Sequence, residues 1–151
     1  MVEPLSAREL AGWRAFIESS QLLMTRLEED LRATSGLAFN DYHVLVLLSE
    51  APGRRLRMGE LASRLVFSPS RLTYQIGSME KRGLVARESC PADRRGSEAV
   101  LTAEGLRALR AAAPHHLASV RAHFMDDLDD ADVAHLTTIF SRLGERLRAT
   151  T

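Results

Sequence analysis

The triplet Ser68-Pro69-Ser70, set just beyond a short amphipathic run, constrains the fold of this chain more than any other feature. A serine at a helix cap followed by proline at the first helical position is a strong start signal. The hydroxyl accepts an otherwise unpaired backbone amide, and proline lacks the amide hydrogen that this position would leave unsatisfied. From Pro69 the spacing of Leu72, Ile76 and Met79 predicts one buried stripe running to Arg82, and Gly83 ends the helix. Upstream, Met58–Leu65 reads as a shorter helix with Leu61, Ala62 and Leu65 on one face. Two helices joined by a turn of a few residues form a helix-turn-helix.

Beyond Gly83, Leu84–Glu88 and Ser97–Leu101 read as two short strands. The polar segment Cys90–Gly96 between them carries turn formers and the adjacent pair Arg94-Arg95, so the whole predicts a β-hairpin with a basic tip. Leu10, Trp13, Phe16, Ile17, Met24, Leu27 and Leu31 form the stripe of a long first helix, capped by Ser6 with Glu9 three residues on and ended by Gly36. A second helix is expected from Asn40, a good cap, to the Pro52-Gly53 stop. Thr102 caps a fifth helix that Pro114 is expected to kink or divide. After an acidic break at Asp126–Asp132, a last helix carries Val133, Leu136, Ile139, Phe140, Leu143 and Leu147.

The predicted fold class is therefore mainly α with a small β-hairpin wing: a winged helix-turn-helix over residues 37–101, flanked by helical arms at 1–36 and 102–151. The apolar stripes of the arms are too extensive for so small a centre to cover. They are expected to pack on a second copy of the chain, making a homodimer, although a monomeric bundle of the same helices stays open.

Charge is balanced at 20 basic and 20 acidic residues, yet unevenly distributed. Residues 54–98 hold 10 basic against 5 acidic residues, whereas 1–53 hold 4 against 8. The middle segment alone suits a phosphate backbone. No run of residues is apolar enough to span a bilayer, and the first twenty lack the pattern of a secretory signal, so a cytoplasmic protein is expected. The single Cys90 forms no internal disulfide, and the histidines lack metal-ligand spacing, so neither cofactor nor metal is expected. The chain has no glycine-rich phosphate loop, nucleophile elbow or His-Glu-x-x-His, and no catalytic residues are assigned.

The block Met58–Gly105 resembles the DNA-binding core of the MarR (multiple antibiotic resistance regulator) family. The resemblance lies in the recognition helix followed by Gly83-Leu84-Val85-x-Arg87, in Asp93-Arg94-Arg95 on the wing, and in Leu101-Thr102-x-x-Gly105 after it. It implies a homodimer that binds palindromic operators on double-stranded DNA, usually as a repressor, and that is often released by a small aromatic ligand or by thiol oxidation. A winged helix that serves only protein contacts is the alternative.

Ser70, Arg71, Thr73, Tyr74 and Gln75 are expected on the outer face of the recognition helix. Arg71 and Gln75 are the candidates for base edges, since arginine pairs bidentately with guanine and glutamine with adenine. Lys81 and Arg82 suit either phosphate or the helix dipole, and Arg54, Arg55 and Arg57 suit phosphate or plain exposure. The resemblance favours Arg94 as the residue inserted in the minor groove, with Asp93 fixing the wing and Arg95 beside it. The resemblance also implies an effector pocket between the arms and the DNA-binding lobe, where the first two helices and the start of the fifth bring Trp13, Phe16, Tyr42, His43 and His116. Cys90 is expected as an exposed bystander in the wing loop.

Overall fold

The computed structural model describes residues 3–90 and 93–149, with Asp93, Arg94 and Arg95 described through their backbone alone. The chain order is α1 (Ala7–Ser35), α2 (Phe39–Glu50), β1 (Arg55–Arg57), α3 (Met58–Leu65), α4 (Pro69–Lys81), β2 (Val85–Cys90), β3 (Asp93–Leu101), α5 (Ala103–Val120), a π-helical turn (Arg121–Met125) and α6 (Asp130–Ala149).

Helix α1 begins at the expected capping box, in which Glu9 N donates to Ser6 Oγ at 3.3 Å and Ser6 N to Glu9 Oε2 at 2.8 Å. It ends at Gly36, whose φ of 70° is left-handed and favours glycine. Helix α2 corrects the expectation of an Asn40 cap. The helix starts at Phe39, and its cap position falls two residues earlier, on Ala38, whose side chain accepts no hydrogen bond. The first amide is satisfied from another helix instead, Phe39 N donating to Glu28 Oε2 at 2.6 Å. A carboxylate there also suits the positive end of the helix dipole.

The hairpin gains a third strand that local pattern did not predict. β1 pairs antiparallel with β3, Leu56 opposite Ala99, giving the order β1-β3-β2. Three residues carry too little alternation to read as a strand, and it is the pairing that makes Arg55–Arg57 one. β2 and β3 also extend further than expected: β2 reaches Cys90, with an irregular register at Ser89 and Cys90. Cys90 is consequently buried, at 3% exposure, which corrects its reading as an exposed loop residue.

Leu31, Leu45, Leu61, Leu72, Ile76 and Met79 lie at the centre of the core, so the inner stripes of α3 and α4 face inward as the spacing required. Helix α5 runs unbroken through Pro114, and the irregularity comes after Val120 as the π-helical turn. Helix α6 buries none of its residues, and Ile139, Phe140 and Leu147 stand exposed.

Candidate nucleic-acid interface

The turn between α3 and α4 is held by backbone geometry. Val66 adopts φ 55°, a left-handed conformation costly for a β-branched residue, and is 88% exposed. That conformation lets Val66 N reach Ser63 O at 3.2 Å and Phe67 N reach Ala62 O at 2.9 Å, closing α3. Ser68 then caps α4 as expected, its Oγ accepting from Arg71 N at 3.3 Å.

Ser70, Arg71, Thr73 and Tyr74 are all exposed on α4, Tyr74 at 81%. The Arg71 guanidinium carbon lies 3.9 Å from the centroid of the Phe67 ring, a cation–π stack. Gln75 departs from the expected outward face. It is half-buried toward α2, where its Nε2 donates to Asp41 Oδ1. Arg82 belongs to the same cluster, its Nη1 lying 2.5 Å from Asp41 Oδ2. Asp41 is 4% exposed and went unrecognised in the sequence, because a carboxylate in a helical first turn reads as surface.

The other basic residues of the segment separate into paired and unpaired groups. Arg55 reaches Glu88 at 3.2 Å and Glu98 at 3.4 Å, so in the free chain it is paired within the sheet. Arg64 pairs with Glu60, and Arg87 with Glu80 and the Thr73 carbonyl, tying β2 to α4. Among the described residues, Arg54, Arg57, Arg71 and Lys81 have no carboxylate partner. The side chains of Asp93, Arg94 and Arg95, expected at the wing tip, lie outside the described residues, though their backbone belongs to β3.

The base of the wing is joined tightly to the recognition helix. Gly83, at φ 74°, donates to Glu80 O at 2.9 Å, and Leu84 N to Met79 O at 3.0 Å, the paired bonds of a Schellman ending. Thr102 Oγ1 donates to Gly83 O at 2.7 Å while accepting from Gly105 N at 3.0 Å. At Gly105 a Cβ would stand 2.0 Å from the Leu84 carbonyl oxygen, so glycine is required for α5 to approach this close. These contacts give the Leu101-Thr102-x-x-Gly105 motif its physical meaning.

The expected effector pocket divides into two places. Tyr42 and His116 meet at 4.6 Å between centroids with their rings tilted by 52°, and Phe39 lies 5.8 Å from His116 and 6.3 Å from His43, at the junction of α2 and α5. Trp13 and Phe16 belong elsewhere, Phe16 meeting Phe140 of α6 at 5.5 Å and lining a cavity of about 420 Å³ with Leu23, Met24, Phe124 and Leu136. In the first group His116 Nδ1 is buried without a hydrogen-bond partner among the described residues. Burial lowers the His116 pKa and raises that of Tyr42. Phe39, unassigned from sequence, completes this group one helical turn before His43.

Comparison with known proteins gives consistent findings. The model of the MarR family matches residues 35–96. The crystal structure of AbsC, a MarR family transcriptional regulator from Streptomyces coelicolor, is 46% identical, covers 98% of this chain and 99% of its own, and superposes with a TM-score of 0.93. Sco3205, a MarR family transcriptional regulator from the same organism solved in complex with DNA, is 39% identical, with coverage of 97% and 92% and a TM-score of 0.94. The transcriptional regulator HosA of Escherichia coli O111:H- is 33% identical over 101 residues, 67% of this chain and 73% of that protein.

Proposed function

Given that the chain belongs to the MarR family of DNA-binding transcriptional regulators, we propose that it works as a homodimeric repressor on a palindromic operator and is released by a small aromatic ligand. The observation that carries the DNA reading is the exposed face of α4, where among the described residues Arg71 has no carboxylate partner, beside Ser70, Thr73 and Tyr74. That a relative 39% identical was solved with DNA supports it. Arg71 reads a base edge, while Ser70, Thr73 and Tyr74 meet phosphates or a thymine methyl. On the wing, Arg94 enters the minor groove with Arg95 beside it, and Asp93 steadies the turn. Gln75 acts within the protein, through Asp41, and not on a base.

Dimerisation falls to residues 1–36 and 102–151, and DNA binding to 37–101. The support is that no residue of α6 is fully buried within its own chain and that Leu22, Ile139 and Leu147 expose apolar surface along the arms. Two-fold pairing sets two recognition helices about 34–36 Å apart, one turn of DNA. The aromatic ligand sits at Tyr42, His116 and Phe39, with His43 at the edge, where the unpartnered His116 Nδ1 offers it a polar contact. The protein acts in the cytoplasm.

Sedimentation of the purified chain, alone and with duplexes from its own upstream region, tests this reading. A dimer whose affinity for one site falls steeply with salt is expected. A monomer that binds every duplex equally, or none, overturns it.

A further inference from the structure

We infer that Phe67 is a positioning residue for DNA recognition: its ring is the shelf that holds Arg71 ready for guanine. This rests on the reading of α4 as the element that meets DNA. Arginine has long, flexible side-chain geometry, and ordering it on binding costs rotamer freedom. A guanidinium already stacked on a ring has lost much of that freedom beforehand. The guanidinium carbon lies over the ring at 3.9 Å, and a group lying flat there keeps the N–H donors of its outer edge, which lie in its own plane, free for a partner. Two donors along one edge match the O6 and N7 acceptors of guanine, whereas adenine offers an acceptor and a donor there.

The shelf is itself fixed by the backbone. Phe67 follows Val66, whose left-handed φ of 55° closes the α3 turn and whose side chain stands in solvent. Phe67 N is bonded to Ala62 O at 2.9 Å, and its ring packs against the hydrophobic core. Phe67 stands just before the cap Ser68 and Arg71 lies in the first turn of α4, so the entry of the chain into the helix sets the two side chains against each other. Strain at an exposed apolar residue is thus spent on aiming the aromatic residue that follows it.

The test uses the full-length chain, a pool of duplexes randomised over about 20 base pairs, two helical turns, and anisotropy titrations on the selected duplex and its single G·C to A·T variants. Arg71→Ala identifies the base pair that Arg71 reads by abolishing guanine preference there. Phe67→Leu, which keeps apolar bulk without the ring, is expected to reduce that preference about two- to fivefold, the range of an exposed cation–π contact. Phe67→Tyr, which keeps the ring, is expected to restore it. Thermal melts accompany each variant, so that a preference lost in Leu and regained in Tyr at comparable stability separates aiming from folding. If Arg71→Ala alters guanine preference and Phe67→Leu does not, the shelf is refuted while the DNA reading stands. If Phe67→Leu tightens binding, the ring parks Arg71 away from DNA and the inference is reversed. If Arg71→Ala changes nothing on any duplex, the reading of α4 itself falls.

Discussion

The Asp41 carboxylate of α2 lies 2.5 Å from the Arg82 guanidinium at the end of the recognition helix. A carboxylate this deeply withdrawn from water is tolerated because both oxygens are used, one by Arg82 and one by Gln75. Gln75 lies within α4 and Arg82 caps its end seven residues on, about 10 Å along the axis. Two grips at that separation fix rotation and slide together, which the apolar seam of Leu72, Ile76 and Met79 does less strictly. Arg82→Ala leaves the buried carboxylate short of a charged partner and is expected to cost about 2 kcal/mol in urea unfolding. An Arg82→Ala, Gln75→Ala cycle should show coupling; strict additivity would contradict the shared grip.

Gly105→Ala is expected to be more damaging than an alanine exchange elsewhere on α5. The added methyl collides with the Leu84 carbonyl, which is backbone and cannot rotate away. A loss of about 2–3 kcal/mol, roughly 4–12 °C in Tm, follows from overpacking of this kind. A melting curve superimposable on that of the parent chain would show that α5 can back away freely.

Cys90 should resist thiol reagents in the folded protein. It is buried at the end of β2, so Ellman's reagent is expected to react slowly without denaturant and rapidly in urea. Fast native labelling would show that the end of the hairpin opens readily.

Acid should destabilise the fold in two stages. Burial holds the His116 imidazole below its ordinary 6.5, so as pH falls past that value the unfolded chain takes up a proton the folded one refuses, and stability declines. Hydrogen bonds from Ser119 and then His123 hold the Asp30 carboxyl below its ordinary 3.8. Its contribution is complete above that value and disappears as pH drops through the lower folded value. In Tm measured against pH, His116→Phe should flatten the limb between pH about 7 and 5, and Asp30→Asn the limb below about 4. Unchanged slopes in both variants would refute the assignment.

What was legible in the sequence was what is decided locally. Ser6 with Glu9, Ser68 with Pro69, Gly83 and Thr102 each cap or end a helix through bonds to residues two to five away, and each stands where the pattern put it. The misreadings are long-range substitutions. Asn40 lost its cap to Glu28, β1 exists only because β3 lies beside it, and Gln75 turned to Asp41, which is 34 positions away. Trp13 and Tyr42 were grouped through the family resemblance, but the length of α1 carries Phe16 to Phe140 of α6, with Trp13 beside Phe16. Of the two expectations for Pro114, a kink or a division of α5, division is overturned: the helix passes through it and turns irregular only after Val120.

The close seat of Gly105 against Leu84 has a mechanical corollary. Where two backbones touch there is no compressible layer of side chains to absorb motion, so the root of α5, the base of the wing and the end of α4 turn as one body. A tilt of α5 is therefore expected to carry the base of the wing and the end of α4 along with it, like a long handle rigidly joined to a short jaw.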